Sequence, residues 1–163
     1  EVIDAVNVDL KFFNDDSYKD ICGGKLEPVK RNIKLLKEKN IWVEVTTLLI
    51  PGKNDSKEEI EAIGRFLSQI DKNLPWHISG FHPDYKYTEL KTAESGQIKR
   101  AVDTAKECGL NYVYPGNVSG EINTVCPKCG NNVITRNISE GVICKNMIKD
   151  KCLCTKKIEG VWN

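Results

Sequence analysis

Methionine, histidine and long apolar runs are what this sequence has least of. One methionine, Met147, and two histidines, His77 and His82, occur in 163 residues. No apolar stretch approaches the roughly 20 residues that a membrane-spanning helix needs, and no signal-peptide pattern opens the chain. The expectation is therefore a cytoplasmic protein with no membrane partner. Neither sign of charge dominates: 24 Lys and Arg face 23 Asp and Glu, for a net charge of +1. That balance excludes a strongly basic nucleic-acid binder and an acidic tail. Low-complexity segments are missing as well, and 40% apolar residues suit a globular chain. No Gly-rich phosphate loop follows any predicted strand, which argues against a dinucleotide-binding fold. With Met147 alone and a strand beginning within a few residues of Glu1, the chain reads as a piece of something longer.

What is present is a series of strand and helix patterns. Ala5 to Lys11 alternates Val6, Val8 and Leu10 with Asn7, Asp9 and Lys11, the period of two of a strand with distinct faces. Asp15 to Gly24 is a polar loop or short helix. Val29, Ile33 and Leu36 mark a helix from Pro28 to about Lys39. Ile41 to Ile50 is rich in β-branched residues and is stopped by Pro51-Gly52, which predicts a second strand. Ser56 to Glu59 has the form of a capping box, opening a helix with Ile60, Ile63, Leu67 and Ile70 on its buried side. Pro75 to His82 reads as the third strand, followed by a long polar loop with Tyr85 and Tyr87. A helix carrying Ile98, Ala101, Val102, Ala105 and Cys108 ends at Gly109, and Tyr112 to Tyr114 is the fourth strand before Pro115-Gly116-Asn117.

Strands recurring at roughly 35-residue intervals are the signature of βα units joined by right-handed crossovers. The expected fold class is α/β: a partial, half TIM-like parallel βα barrel over 1–119, followed by a small zinc-ribbon-like β module over 120–163. Asn7, Asp9 and Lys11, then Glu44 and Thr46, then His77 and Ser79 each share one face of their strand. If those faces coincide, they line a polar cavity at the strands' carboxyl ends, where such folds place their sites. Asp9 and Lys11 also admit a simple ion pair along one strand. Asp9, Lys11, His82 and the Thr46-Thr47 pair supply donors and acceptors at three successive strand ends, which suits a polar cofactor.

From Gly120 the chain changes character, with seven Lys and Arg against four Asp and Glu and few apolar residues. So small a core needs a staple. Cys126-Pro-Lys-Cys129-Gly130 has the spacing of a zinc knuckle, and Cys152 and Cys154 follow after 22 intervening residues. Four thiolates and no other ligand describe a closed structural zinc site, although the second pair is C-x-C. Cys144 is an alternative ligand or a packed thiol. Cys108 completes a helix stripe and is expected in the core, and Cys22 in a loop before Gly23-Gly24.

Five stretches carry a resemblance: Asn7 to Lys11, Glu44 to Asp55, Trp76 to Lys86, Tyr112 to Asn117, and the cysteine tail ending Ile158 to Trp162. In order along the chain they resemble the C-terminal half of a radical S-adenosylmethionine family, the AmmeMemoRadiSam system branch similar to pyruvate formate-lyase activating enzyme. The resemblance implies a partial (βα)6 barrel binding S-adenosylmethionine at its mouth beside a 4Fe-4S cluster. It implies cofactor contacts from Asp9, Lys11 and His82, with Thr46 where activating enzymes carry an arginine. It further implies reductive cofactor cleavage to a 5′-deoxyadenosyl radical that abstracts hydrogen. The cluster motif C-x-x-x-C-x-x-C and a Gly-Gly-Glu segment are absent from these residues, so the expected partner is an N-terminal half carrying them, with a protein substrate or system partner beyond it. The isolated chain is then expected to be inactive. The competing expectation is a zinc-ribbon interaction module that binds RNA or protein through the basic tail. A third, a metal-independent barrel enzyme, is separated from the first by its ligand.

Overall fold

The computed structural model describes residues 3–85, 87–137 and 139–162. Lys86, which closes one of the five stretches above, lies outside the described residues, as do Ile138 and the extreme termini. The chain divides into two compact units, Glu1–Val118 and Ser119–Asn163.

The first unit runs β1 (Ala5–Asp9), α1 (Asp15–Cys22), α2 (Leu26–Glu38), β2 (Trp42–Leu49), α3 (Lys57–Ile70), β3 (Trp76–Gly80), α4 (Ser95–Glu107) and β4 (Val113–Gly116). Its four strands are all parallel and lie in chain order, β1-β2-β3-β4. Right-handed crossovers between strands laid down in one direction put every connecting helix on the same side of the sheet. The burial pattern agrees: Val43, Val45, Thr47 and Leu49 of β2 are buried, whereas Trp42, Glu44, Thr46 and Leu48 are partly exposed. Trp76, Ile78 and Gly80 of β3 join the buried face. Against it pack Ile33 of α2, Ile60, Ile63 and Leu67 of α3, and Ile98, Ala101 and Ala105 of α4.

Local chemistry explains several boundaries. α1 is a true helix because Asn14 caps it, accepting from the Ser17 amide at 2.8 Å, and Gly23 ends it at φ 64°. Cys22 is therefore the last helical residue and not a loop residue. α2 begins at Leu26 and takes Pro28 into its first turn, where no amide is missed. Half of the expected capping box forms: Ser56 Oγ accepts from the Glu59 amide at 3.2 Å. The other half is diverted, because the Glu59 carboxylate accepts from the Phe13 amide and ties the end of β1 to α3. A complete capping box occurs instead at Glu94 and Gln97, opening α4. β4 continues through Pro115, which an outer strand tolerates because no ladder partner needs the missing amide. β3 is shorter than expected and stops at Gly80, leaving His82 exposed beyond it. Cys108 caps α4 half-buried, its Sγ 3.0 Å from where a Cβ on Gly64 would lie.

The second unit is antiparallel. β5 (Ile122–Val125), β6 (Asn132–Asn137) and β7 (Gly141–Cys144) form one meander, and β8 (Met147–Ile148) pairs with β9 (Lys151–Cys152). Among its described residues the buried aliphatic side chains are Val133, Ile134 and Ile158, too few to stabilise a fold without a cross-link. No described helix is long and apolar enough to cross a membrane.

Candidate functional site

Register turns the polar parity of the strands into a surface. Asp9 of β1 pairs with Thr46 of β2, Thr46 with His77 of β3, and His77 with Tyr114 of β4, so these four form one row across the sheet. Asn7 and Glu44 pair in the row below. The contacts bind the rows together. Thr46 Oγ1 donates to Asn7 Oδ1 at 2.9 Å, and His77 Nε2 lies 2.7 Å from Glu44 Oε2. Trp42 Nε1 donates to Glu44 Oε1 at 3.0 Å, and the His77 ring lies against Tyr114 with centroids 5.4 Å apart. Asp9 and Lys11 do form the ion pair that the sequence admits, at 3.0 Å, with both groups exposed enough for solvent to screen it.

The carboxyl end of β1, where Lys11 sits, is held by buried polar groups from the neighbouring elements. Asn54 is fully buried in the loop after β2. Its Nδ2 donates to the Lys11 and Leu48 carbonyls at 2.7 and 2.8 Å, and its Oδ1 accepts from the Ile50 amide at 2.7 Å. Thr47, equally buried, accepts from Trp76 Nε1 at 2.9 Å and donates to the Leu10 carbonyl at 2.7 Å, linking β3, β2 and β1 through one hydroxyl. The Lys11 amide donates to the Tyr18 hydroxyl at 3.1 Å. Burial raises the pKa of that hydroxyl, against the opposing pull of the hydrogen bond from Lys11. These clamps fix the backbone and leave the side chains of Asp9 and Lys11 on the open face.

Of the residues singled out in the sequence, Asp9, Lys11 and Thr46 come together on this face. Thr47 points to the opposite one, and His82 stands beyond β3. The histidine that sits in the row is His77. Its parity with Thr46 was legible in the sequence, and its carboxylate partner was not.

The cysteines of the second unit make a separate site. The sulfurs of Cys126, Cys129, Cys152 and Cys154 all lie within 4.8 Å of one another, with Cys126–Cys154 and Cys129–Cys152 at 3.6 Å. Four thiolates bound at 2.3 Å around a tetrahedral ion would be about 3.8 Å apart, so the set matches a single ion. The separations are far too long for disulfides. The irregular C-x-C pair is accommodated by a shorter turn. In the first knuckle the Gly130 amide donates to the Cys126 carbonyl, with Gly130 at φ 75°. In the second the Thr155 amide donates to the Cys152 carbonyl, with Thr155 at φ 72°. A left-handed residue thus follows the second cysteine of each pair. Burial raises the Cys126 thiol, but amides of Cys129 and Lys128 and the neighbouring thiols outweigh it and bring the pKa down to about 7. Cys129 is drawn down by the Asn131 amide, yet burial and the other thiols push it up to about 12. Crowded thiols resist full ionisation unless a cation neutralises them. Cys144 lies on β7 outside the set of four.

Comparison with known proteins agrees with this architecture. Residues 1–67 match the model of the Radical SAM superfamily. An uncharacterized protein of Methanocaldococcus jannaschii is 41% identical over 164 residues, covering 98% of this chain and 49% of that protein. The pyruvate formate-lyase 1-activating enzyme of Escherichia coli is 26% identical over 125 residues, covering 70% of this chain and 51% of the enzyme. Among solved structures, a domain of a pyruvate-formate lyase-activating enzyme from Bacteroides vulgatus superposes with a TM-score of 0.56 at 20% identity, over 70% of this chain and 68% of that one. The fold is thus a four-stranded parallel α/β sheet like part of a radical SAM barrel, followed by a small antiparallel region with a four-cysteine cluster. The chain spans about half the length of the curated relatives it matches.

Proposed function

We propose that this chain, whose residues 1–67 match the Radical SAM superfamily model, is the C-terminal half of a radical S-adenosylmethionine enzyme of the AmmeMemoRadiSam system. In this reading the polar sheet face holds part of the cofactor. The observation that carries it is the row Asp9–Thr46–His77, with Lys11 beside it, on the sheet face opposite the one against which the described helices pack. Asp9 would accept hydrogen bonds from the cofactor's hydroxyls and Lys11 would donate to its oxygens, while Thr46, whose proton goes to Asn7, would accept through its hydroxyl oxygen and His82 would contribute from beyond β3. The cofactor, if bound beside a 4Fe-4S cluster, would supply hydrogen-abstracting radical chemistry. The chain's own part is to bind, orient and screen the cofactor from water.

The cluster ligands belong to residues outside this chain, since none of its seven cysteines forms C-x-x-x-C-x-x-C. The four clustered cysteines hold structural zinc. Their sulfurs lie within 4.8 Å of one another, close enough to share a single ion, whereas a cubane spreads its ligands over four irons. The substrate is a protein, a reading supported by the activating enzymes among the relatives. Reconstitution with iron and sulfide tests the division of labour. The expected result is one metal ion per chain at the cysteines and no cofactor cleavage. A stable 4Fe-4S cluster that cleaves S-adenosylmethionine would overturn it.

A further inference from the structure

His77 is held more firmly than a residue on an idle sheet face requires. From β2 the Glu44 carboxylate meets its Nε2 at 2.7 Å, and from β4 the Tyr114 ring lies against the imidazole at an interplanar angle of 32°. Glu44 is itself oriented, because its second oxygen accepts from Trp42 Nε1. An ionised Glu44 can only accept, so the proton between the two sits on Nε2, and Nδ1 is the ring nitrogen left for a ligand. About a third of each side chain remains exposed, which leaves the pair half-sheltered but reachable. The row places it two strand spacings, roughly 10 Å, from Asp9.

The geometry points to His77, aligned by Glu44, as a further ligand-binding residue of this face. Its Nδ1 accepts a hydrogen bond from a hydroxyl, amine or amide N–H of the nucleoside cofactor. Glu44 is a positioning residue that sets the tautomer. Both assignments rest on the cofactor-binding reading of the same face. Tyr114 blocks one ring face and leaves the ring edge as the route of approach.

The chain's two histidines make the test tractable, because each gives its own signal. Long-range proton–nitrogen spectra of the whole chain should show His77 fixed with its proton on Nε2, and Glu44→Gln should release it into a tautomer mixture while the fold persists. Carbethoxylation of each histidine is then followed by mass spectrometry, with S-adenosylhomocysteine as the probe. At ten times its dissociation constant the probe leaves roughly a tenth of sites free, so modification of His77 should slow about tenfold. A tautomer mixture in the wild-type chain, or protection of His82 with none at His77, overturns the assignment of His77 alone. Protection of neither histidine overturns the cofactor reading of the face, and the His77 assignment with it.

Discussion

Replacing Asn54 by alanine should cost more stability than any exposed change in the same loop, and the size follows from its contacts. The side chain is fully buried and makes three hydrogen bonds of 2.7 to 2.8 Å. Alanine leaves the Ile50 amide and the carbonyls of Lys11 and Leu48 without that partner. A stranded buried group costs about 1–3 kcal/mol, with carbonyls at the low end because each keeps a second lone pair. The expected loss is therefore about 3–5 kcal/mol, a large share of the 5–15 kcal/mol typical of a domain. Urea denaturation followed by the fluorescence of Trp76, buried in the same unit, measures it. Lys53→Ala, one residue away and exposed, should stay within about 0.5 kcal/mol. The amide signals of Leu10 and Lys11 should move in Asn54→Ala and not in the control, because the clamp acts on the backbone at the end of β1. A loss below about 1 kcal/mol would refute the reasoning, since it would mean that water or a small shift satisfies all three groups.

Thr47→Val keeps the shape of the side chain and removes the two hydrogen bonds that join Trp76 to the Leu10 carbonyl, so about 2–3 kcal/mol should be lost by the same assay. Gly80→Ala would bring a methyl to 2.6 Å from Ile98 Cδ1, and about 1–3 kcal/mol should be lost. Ile98→Val deletes that carbon, so the double mutant should recover part of the loss, and a strictly additive cycle would refute the clash. In the second unit, Cys126→Ser or a zinc chelator should abolish the dispersed amide spectrum of residues 119–163. Unit 1 should keep its own unfolding transition, with bound zinc falling from about one equivalent to near none.

The parallel array was legible because the period-two alternation of β1, the β-branched run of β2 with its Pro51-Gly52 stop and Pro83 beyond β3 mark successive strands, and right-handed crossovers leave few topologies. The shared polar parity of Asn7, Asp9, Glu44, Thr46 and His77 was also visible. The register that sets them side by side was not, since a slip of one residue would have scattered them over both faces. Asn54 was hidden because an asparagine in Pro51-Gly-Lys-Asn-Asp55 has the appearance of an ordinary turn residue. Glu59 misled for a related reason: a capping pattern predicts a local bond, and a tertiary one to Phe13 won. His82 drew attention through its strand-end motif, while His77, with no local signal, gained its partner from the neighbouring strand. The C-x-C pair departed from knuckle spacing, and its left-handed turn residue is Thr155, where a glycine would have announced the turn.

Calorimetric titration of S-adenosylhomocysteine into the chain tests the central claim most directly, with Lys11→Met and Asp9→Asn titrated alongside. Their ion pair is exposed and should contribute under about 1 kcal/mol to stability, so both variants should unfold almost as the wild type does. The account predicts saturable binding at one site, weakened at least about tenfold, or about 1.4 kcal/mol, by either substitution. Absence of binding to the folded wild-type chain, or equal binding by both variants, would contradict it.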